Sequence, residues 1–291
     1  MRASRLRSGN PGWLTVSTSP CRRRIIRPLE TCAEGLALPT FESNGVTINF
    51  IQEGVGPDIV LVHGFASSLQ GNWRGPGVVD ALVASGRRVT ALDCRGHGRS
   101  STPHDPAAYG GTKMADDVLN LMDQLGITKA DLMGYSMGAG ISAQLVTRYP
   151  ERFRAVIFGG MGDALLSGGR PREGSNAIAE ALEAKDSGEI TDATAKGFRV
   201  FAKSTGADLL ALAAVMRSGR EGADPGRLRA IQNPVMVIVG EADTLIVSAD
   251  RLAAAIPGCT YVKVPGDHTT AVTPVYSAAV VEFLAKASPV S

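Results

Sequence analysis

Ser136 lies in Gly134-Tyr135-Ser136-Met137-Gly138, between the short apolar run 130–133 and a stretch of helical composition, 139–148. A serine flanked by glycines at this spacing, after a strand and before a helix, has the pattern of a nucleophile elbow, a sharp turn that lifts Oγ clear of a sheet. Glycines at 134 and 138 remove the Cβ atoms that would crowd such a turn. A serine hydroxyl is a weak nucleophile at neutral pH, so it needs a base beside it, and the base needs an acid to orient it. The chain has four histidines: His63, His97, His104 and His268. His268 closes the run 262–268, a short apolar strand and turn ahead of the last helix. Asp243 follows 234–240, apolar on both faces as a central parallel strand would be. Asp163, beyond the preceding strand end, and Glu241 are its rivals for the acid. The order Ser136, Asp243, His268 is the one expected of an elbow-bearing sheet. Those three groups together would perform nucleophilic acyl transfer.

Acyl transfer also needs two preorganised N–H donors aimed at the developing oxyanion. The backbone N–H of Met137 is one candidate. The other is that of Phe65, after the buried strand 58–62 and its His63-Gly64 turn. A further strand, 89–92, runs into Asp93-Cys94-Arg95-Gly96-His97-Gly98-Arg99-Ser100. Together these motifs resemble the α/β-hydrolase superfamily over roughly residues 40–288. The resemblance implies a mostly parallel eight-stranded sheet flanked by helices, with a small helical lid after the sixth strand. It implies a Ser136–His268–Asp243 triad with Phe65 and Met137 amides as the oxyanion hole. It gives His63 a part in shaping the oxyanion loop and no proton transfer. Epoxide hydrolases and haloalkane dehalogenases of this fold use an aspartate at the elbow, and position 136 is a serine. Small carboxylesterases, C–C bond hydrolases, enol-lactonases and haloperoxidase-type perhydrolases stay open, as does a non-catalytic binding protein on the same fold. Phe65 and Trp73 are expected at the acyl pocket, with core packing an equal alternative for each. Asp93 and Arg95 read as a pair fixing their loop, and Asp267 as solvated.

Composition fits a small-molecule enzyme. Hydrophobic residues make up 44% of the 291 and charged residues 20%, ordinary for a globular chain. Residues 1–40 hold seven arginines against Glu30 and Glu34, so the net charge of +2 hides a slightly acidic remainder. That balance argues against nucleic-acid binding, which wants a basic face. Cys21, Cys32, Cys94 and Cys259 show neither metal-ligand spacing nor a disulfide framework, and reduced thiols in the cytoplasm are expected. The acyl-transfer chemistry calls for no metal and no cofactor. No apolar run approaches the ~20 residues that span a bilayer. The arginine-rich segment 1–37 lacks the apolar stretch of a secretory signal. It is expected to be a disordered extension, an upstream start, or an organellar leader.

The elements that must hold these groups alternate along the chain. Residues 46–52 alternate apolar and polar, and Asn44-Gly45 pairs them in a hairpin with 38–42. Strands at 59–63, 88–92, 130–133 and 155–159 then alternate with helices at 78–85, 113–125 and 139–148, the pattern of a parallel sheet with right-handed crossovers. The alternation breaks over 161–232, where helical segments near 176–184, 192–203 and 207–217 read as the lid. It resumes at 233–291. The expected organisation is therefore a core at 38–160 and 233–291, interrupted by the insertion.

Overall fold

The computed structural model describes residues 39–168, 174–246 and 248–290; the expected tail at 1–37 lies outside them. Eight strands form one sheet in the order β1-β2-β4-β3-β5-β6-β7-β8. They are β1 (Thr40–Ser43), β2 (Val46–Glu53), β3 (Asp58–Val62), β4 (Arg88–Leu92), β5 (Ala130–Tyr135), β6 (Phe153–Gly159), β7 (Val235–Gly240) and β8 (Thr260–Val264). The first two pairings, β1 with β2 and β2 with β4, are antiparallel, and all the others are parallel. At the hairpin, Asn44 (φ 50°) and Gly45 (φ 80°) both take the left-handed conformation that a tight two-residue turn requires.

The parallel strands alternate between two apolar layers, which is why their sequences read as unbroken apolar runs. Val60, Val62, Leu132, Val156, Phe158, Val237 and Val239 face one layer. Ile59, Leu61, Met133, Ile157, Met236 and Ile238 face the other. The first layer is closed by α2 (Lys113–Gln124) and α3 (Met137–Arg148), and the second by α1 (Val78–Ala84) and α9 (Pro274–Ala287). Between β6 and β7 the chain forms α4 (Ser175–Glu183), α5 (Ala193–Ser204), α6 (Leu209–Arg217) and α7 (Pro225–Arg229). Asp192, Asp208 and Asp224 each cap one of these helices by accepting first-turn amides. A short α8 (Asp250–Ala255) follows β7. No helix among the described residues is long and apolar enough to cross a membrane.

Charged groups are buried at the amino ends of the central strands. Asp131, at the start of β5, is fully buried and ion-paired with Arg87 and Arg154. Arg87 also donates to the carbonyls of Leu284 (3.1 Å) and Ser288 (2.6 Å), so the cluster ties the end of α9 to the sheet. Removing one partner of a buried ion pair leaves a desolvated charge with nothing to offset it. Asp131→Ala should therefore cost about 3–5 kcal/mol in urea unfolding. A loss under about 1 kcal/mol would mean that the arginines find other partners.

Candidate active site

Ser136 joins β5 to α3 with φ 51° and ψ −112°, a conformation that costs a non-glycine residue roughly 1–3 kcal/mol. Close packing enforces it. A Cβ on Gly134 would lie 2.1 Å from the Gly138 carbonyl oxygen, and one on Gly138 would lie 2.0 Å from that of Val62. Ser136 N–H donates to Gly159 O on β6 (2.8 Å), while its own carbonyl accepts from Ala139 and Gly140 and starts the helix. The serine Oγ thus stands at the carboxyl edge of the parallel strands, over a helix N-terminus.

His268 comes to the same edge from the loop after β8. Its Nε2 lies 2.8 Å from Ser136 Oγ, and its Nδ1 lies 2.7 Å from Asp243 Oδ2. With a carboxylate as partner, Nδ1 is the donor, which leaves the Nε2 lone pair to accept the serine proton. The Asp243 carboxylate has no solvent exposure, and its Oδ1 accepts from Leu245 N–H (3.0 Å). The two rival acids are elsewhere. Asp163 accepts from Leu252 N–H at α8 (2.8 Å), and Glu241 is exposed.

Two residues hold His268 that its sequence neighbourhood did not mark for that task. Tyr135, the variable residue before the serine, donates its hydroxyl to His268 O (2.8 Å) and stacks near the imidazole at 5.5 Å. Burial raises the Tyr135 phenol well above its ordinary pKa, so it stays a donor. Asp267 is exposed, as expected, but also organises the turn. Its Oδ1 accepts from the amides and hydroxyls of Thr269 and Thr270, which hold its carboxyl at about 2.

The loop after β3 brings a second set of groups to the serine. A Cβ on Gly64 would lie 3.4 Å from Ser136 Cβ. Gly64 N–H is held by Asn72 Oδ1 (2.8 Å), and Ala66 takes φ 58°. Thr205, at the end of α5, donates to Ala66 O (2.9 Å), and Phe198 of α5 packs its ring 5.8 Å from Phe65. The Phe65 N–H has no acceptor among the described residues. The Met137 N–H, first in α3, has no intrahelical carbonyl to meet. Both amides are thus available to an incoming oxygen.

Two expectations need correction. Trp73 is fully buried beside Ile59, Leu61 and Val78, in the layer closed by α1 and α9; a large apolar ring next to α1 gains most by packing there. Asp93 and Arg95 do not pair with each other. Asp93 accepts from Asn49, Leu69 and Arg99, while Arg95 makes a bidentate pair with Asp117 of α2 (2.6 and 2.7 Å). Each fixes the loop, through a different partner. His104 pairs with Asp208, the cap of α6 (2.9 Å).

A family model of the α/β hydrolase fold matches residues 57–167, from the turn before β3 to the start of the insertion. The chain has the α/β-hydrolase fold. Among relatives of this chain, an epoxide hydrolase from Caballeronia sordidicola is 34% identical over 115 residues, 40% of this chain and 34% of that one. The dihydrolipoyllysine-residue acetyltransferase component of the acetoin cleaving system of Cupriavidus necator is 32% identical over 240 residues, 77% of this chain and 62% of its own. The match spans less than two thirds of either relative's length. Among solved structures, the enol-lactonase of Burkholderia xenovorans LB400 has a TM-score of 0.61 at 26% identity, over 84% of this chain and 99% of that one.

Two further histidines sit beneath the Phe65 loop, and burial keeps both neutral. His63 Nδ1 donates to Gly64 O (2.7 Å), and its Nε2 accepts from Cys94 N–H (2.9 Å), which fixes one tautomer. Desolvation lowers the pKa of His63, and that of His97 falls to about 3. Below the ordinary histidine pKa of about 6.5, the unfolded chain binds protons that the folded chain refuses. Their contribution is therefore full above about pH 6.5 and declines as pH falls toward 3. Between pH 7.5 and 5 the urea midpoint should drop, and His97→Gln should flatten the slope by up to about 1.4 kcal/mol per pH unit. Identical slopes in both proteins would contradict a neutral buried His97.

Proposed function

We propose that this chain is a serine hydrolase that cleaves an ester-like bond of a small molecule, a carboxylic ester, lactone or activated C–C bond, through an acyl-enzyme. The observation that carries the reading is the hydrogen-bonded chain from Ser136 Oγ through His268 to Asp243. In the first half-reaction His268 Nε2 takes the serine proton as Oγ attacks the carbonyl carbon. The imidazolium then returns that proton to the leaving group as the tetrahedral intermediate collapses. Asp243, held by Leu245 on its other oxygen, keeps Nδ1 protonated and stabilises the positive ring. Water follows the same route in the second half-reaction, with His268 as its base.

The amides of Phe65 and Met137 are the oxyanion donors of this mechanism, each worth roughly 3 kcal/mol of the barrier. Phe65 itself lines the acyl side. The helical insertion α4–α7 acts as a lid, a role supported by the Thr205 and Phe198 contacts to residues 65 and 66. Likeness to an enol-lactonase over nearly all of that chain agrees with an ester-type carbonyl as the electrophile. A serine at 136, where an aspartate would make an alkyl-enzyme, favours the acyl route over epoxide opening.

Ser136→Ala should abolish hydrolysis of 4-nitrophenyl esters with an unchanged melting temperature. Asp243→Asn, which favours the wrong imidazole tautomer, should cost on the order of 10⁴ in turnover at pH 7. Asp163→Asn should stay within about tenfold of wild type, because its carboxylate caps α8. A large loss from Asp163→Asn with near-normal Asp243→Asn would move the acid to the end of β6 and overturn the assignment.

A further inference from the structure

The turn that carries the Phe65 amide is not fixed by its own sequence. Residues Gly64 to Ser67 form a turn closed by Ser67 N–H on Gly64 O (3.3 Å), and Ala66, its third residue, takes φ 58°. Glycine is the residue favoured at such a position, because a Cβ makes the left-handed region unfavourable. Alanine stays there only where its surroundings over-determine the conformation. On the Gly64 side, His63 Nδ1 and Asn72 Oδ1 take up the carbonyl and the amide. On the Ala66 side the support comes from the inserted helices. The Thr205 hydroxyl donates to the carbonyl of Ala66, a fully buried residue (2.9 Å).

The end of α5 aims that hydroxyl. Gly206 takes φ 69°, its N–H meets Lys203 O (3.2 Å), and Ala207 N–H meets Ala202 O (3.0 Å). These paired bonds are those of a helix stopped by a left-handed glycine, and they set Thr205 as the C-cap. The residue is otherwise exposed, so changing it empties no core. Its hydroxyl has a second carbonyl in reach, Ala202 O within α5 (3.0 Å). A hydroxyl donates one proton. With α5 seated that proton meets Ala66 O; with α5 drawn back it has Ala202 O, so the movement leaves the hydroxyl paired. The Phe65 ring is gripped between the two bodies as well, edge-on to Phe198 of α5 (5.8 Å) and to His97 of the core (5.7 Å).

Resting on the hydrolase reading, we infer that Thr205 is a positioning residue whose hydroxyl couples the seating of α5 to the aim of the Phe65 amide. With the bond to Ala66 made, the turn keeps its left-handed residue and holds Phe65 N–H toward Ser136. With α5 withdrawn, Ala66 relaxes toward an ordinary φ and rotates the turn that carries the amide. The oxyanion hole is then complete only while the lid is seated. Donors stabilise a developing oxyanion when they need no reorganisation at the moment of reaction. That oxyanion forms in both acylation and deacylation and is absent from bound ester. Loss of aim therefore lowers kcat and leaves KM nearly unchanged.

Steady-state hydrolysis of 4-nitrophenyl butyrate tests this with Thr205→Val, which keeps the branched shape and removes the proton. Its kcat should fall about 3- to 10-fold, the scale of one neutral hydrogen bond, with KM held within about twofold. Thr205→Ser keeps the hydroxyl and should recover most of the loss. Ala66→Gly supplies the deciding background. Glycine takes a positive φ without steric cost, so adding Thr205→Val to it should lower kcat by less than about twofold. A role confined to lid packing would give the same loss in both backgrounds. Hydrogen-exchange mass spectrometry reads the loop without turnover. The peptide covering 63–68 should exchange about threefold faster in Thr205→Val, with peptides from β5 and α3 unchanged. An unchanged kcat, equal losses in the two backgrounds, or a raised KM at constant kcat would each overturn the inference. If wild type hydrolyses no ester, the hydrolase reading fails separately, and unchanged exchange over 63–68 would still overturn the coupling.

Discussion

Everything at this site depends on one backbone constraint, the left-handed φ of Ser136 between β5 and α3. An L-residue holds such a conformation only where its surroundings leave no alternative. Here the surroundings are two glycines packed against backbone, Gly134 against Gly138 and Gly138 against Val62. The contact to Val62 also draws the end of β3 against the first turn of α3. It thereby brings the His63–Phe65 loop to the serine. The strain at one residue and the position of the oxyanion loop are two consequences of one close approach.

The rest of the site is built to remove freedom from groups that would otherwise need to reorganise during a reaction. Asp243 has both carboxylate oxygens occupied, and His268 is held through its ring and through its backbone carbonyl. His63, buried and neutral, hydrogen-bonds on both sides and locks the loop after β3 to the loop after β4. Fixed dipoles of this kind stabilise developing charge without rearrangement. Thr205 and Phe198 extend the same network into the inserted helices, so that movement of α5 would be felt at Ala66 and Phe65.

Much of this was legible in the sequence because the signals are local. Parallel strands buried on both faces read as unbroken apolar runs, and the elbow needs its glycines at fixed spacing. Asn44-Gly45 announces its turn by residue type alone. Chain order put Ser136, Asp243 and His268 forward as one set and left Asp163 and Glu241 as rivals for the acid. What escaped is contact between distant segments. Arg95 finds Asp117 on α2 rather than the adjacent Asp93, and Thr205 reaches Ala66 across the insertion. Trp73 turns to the core because its short helix packs beside α1, a choice its loop-like neighbours Gly71 and Asn72 do not reveal.

The most direct test of the acyl-transfer chemistry is rapid mixing of the protein with 4-nitrophenyl acetate, followed by acid quench and peptide mass mapping. A burst of 4-nitrophenolate approaching one equivalent per chain should appear, with a transient acetyl group on the peptide containing Ser136. Rapid turnover with no burst and no acylated peptide, or an adduct confined to another residue, would contradict Ser136 as the nucleophile.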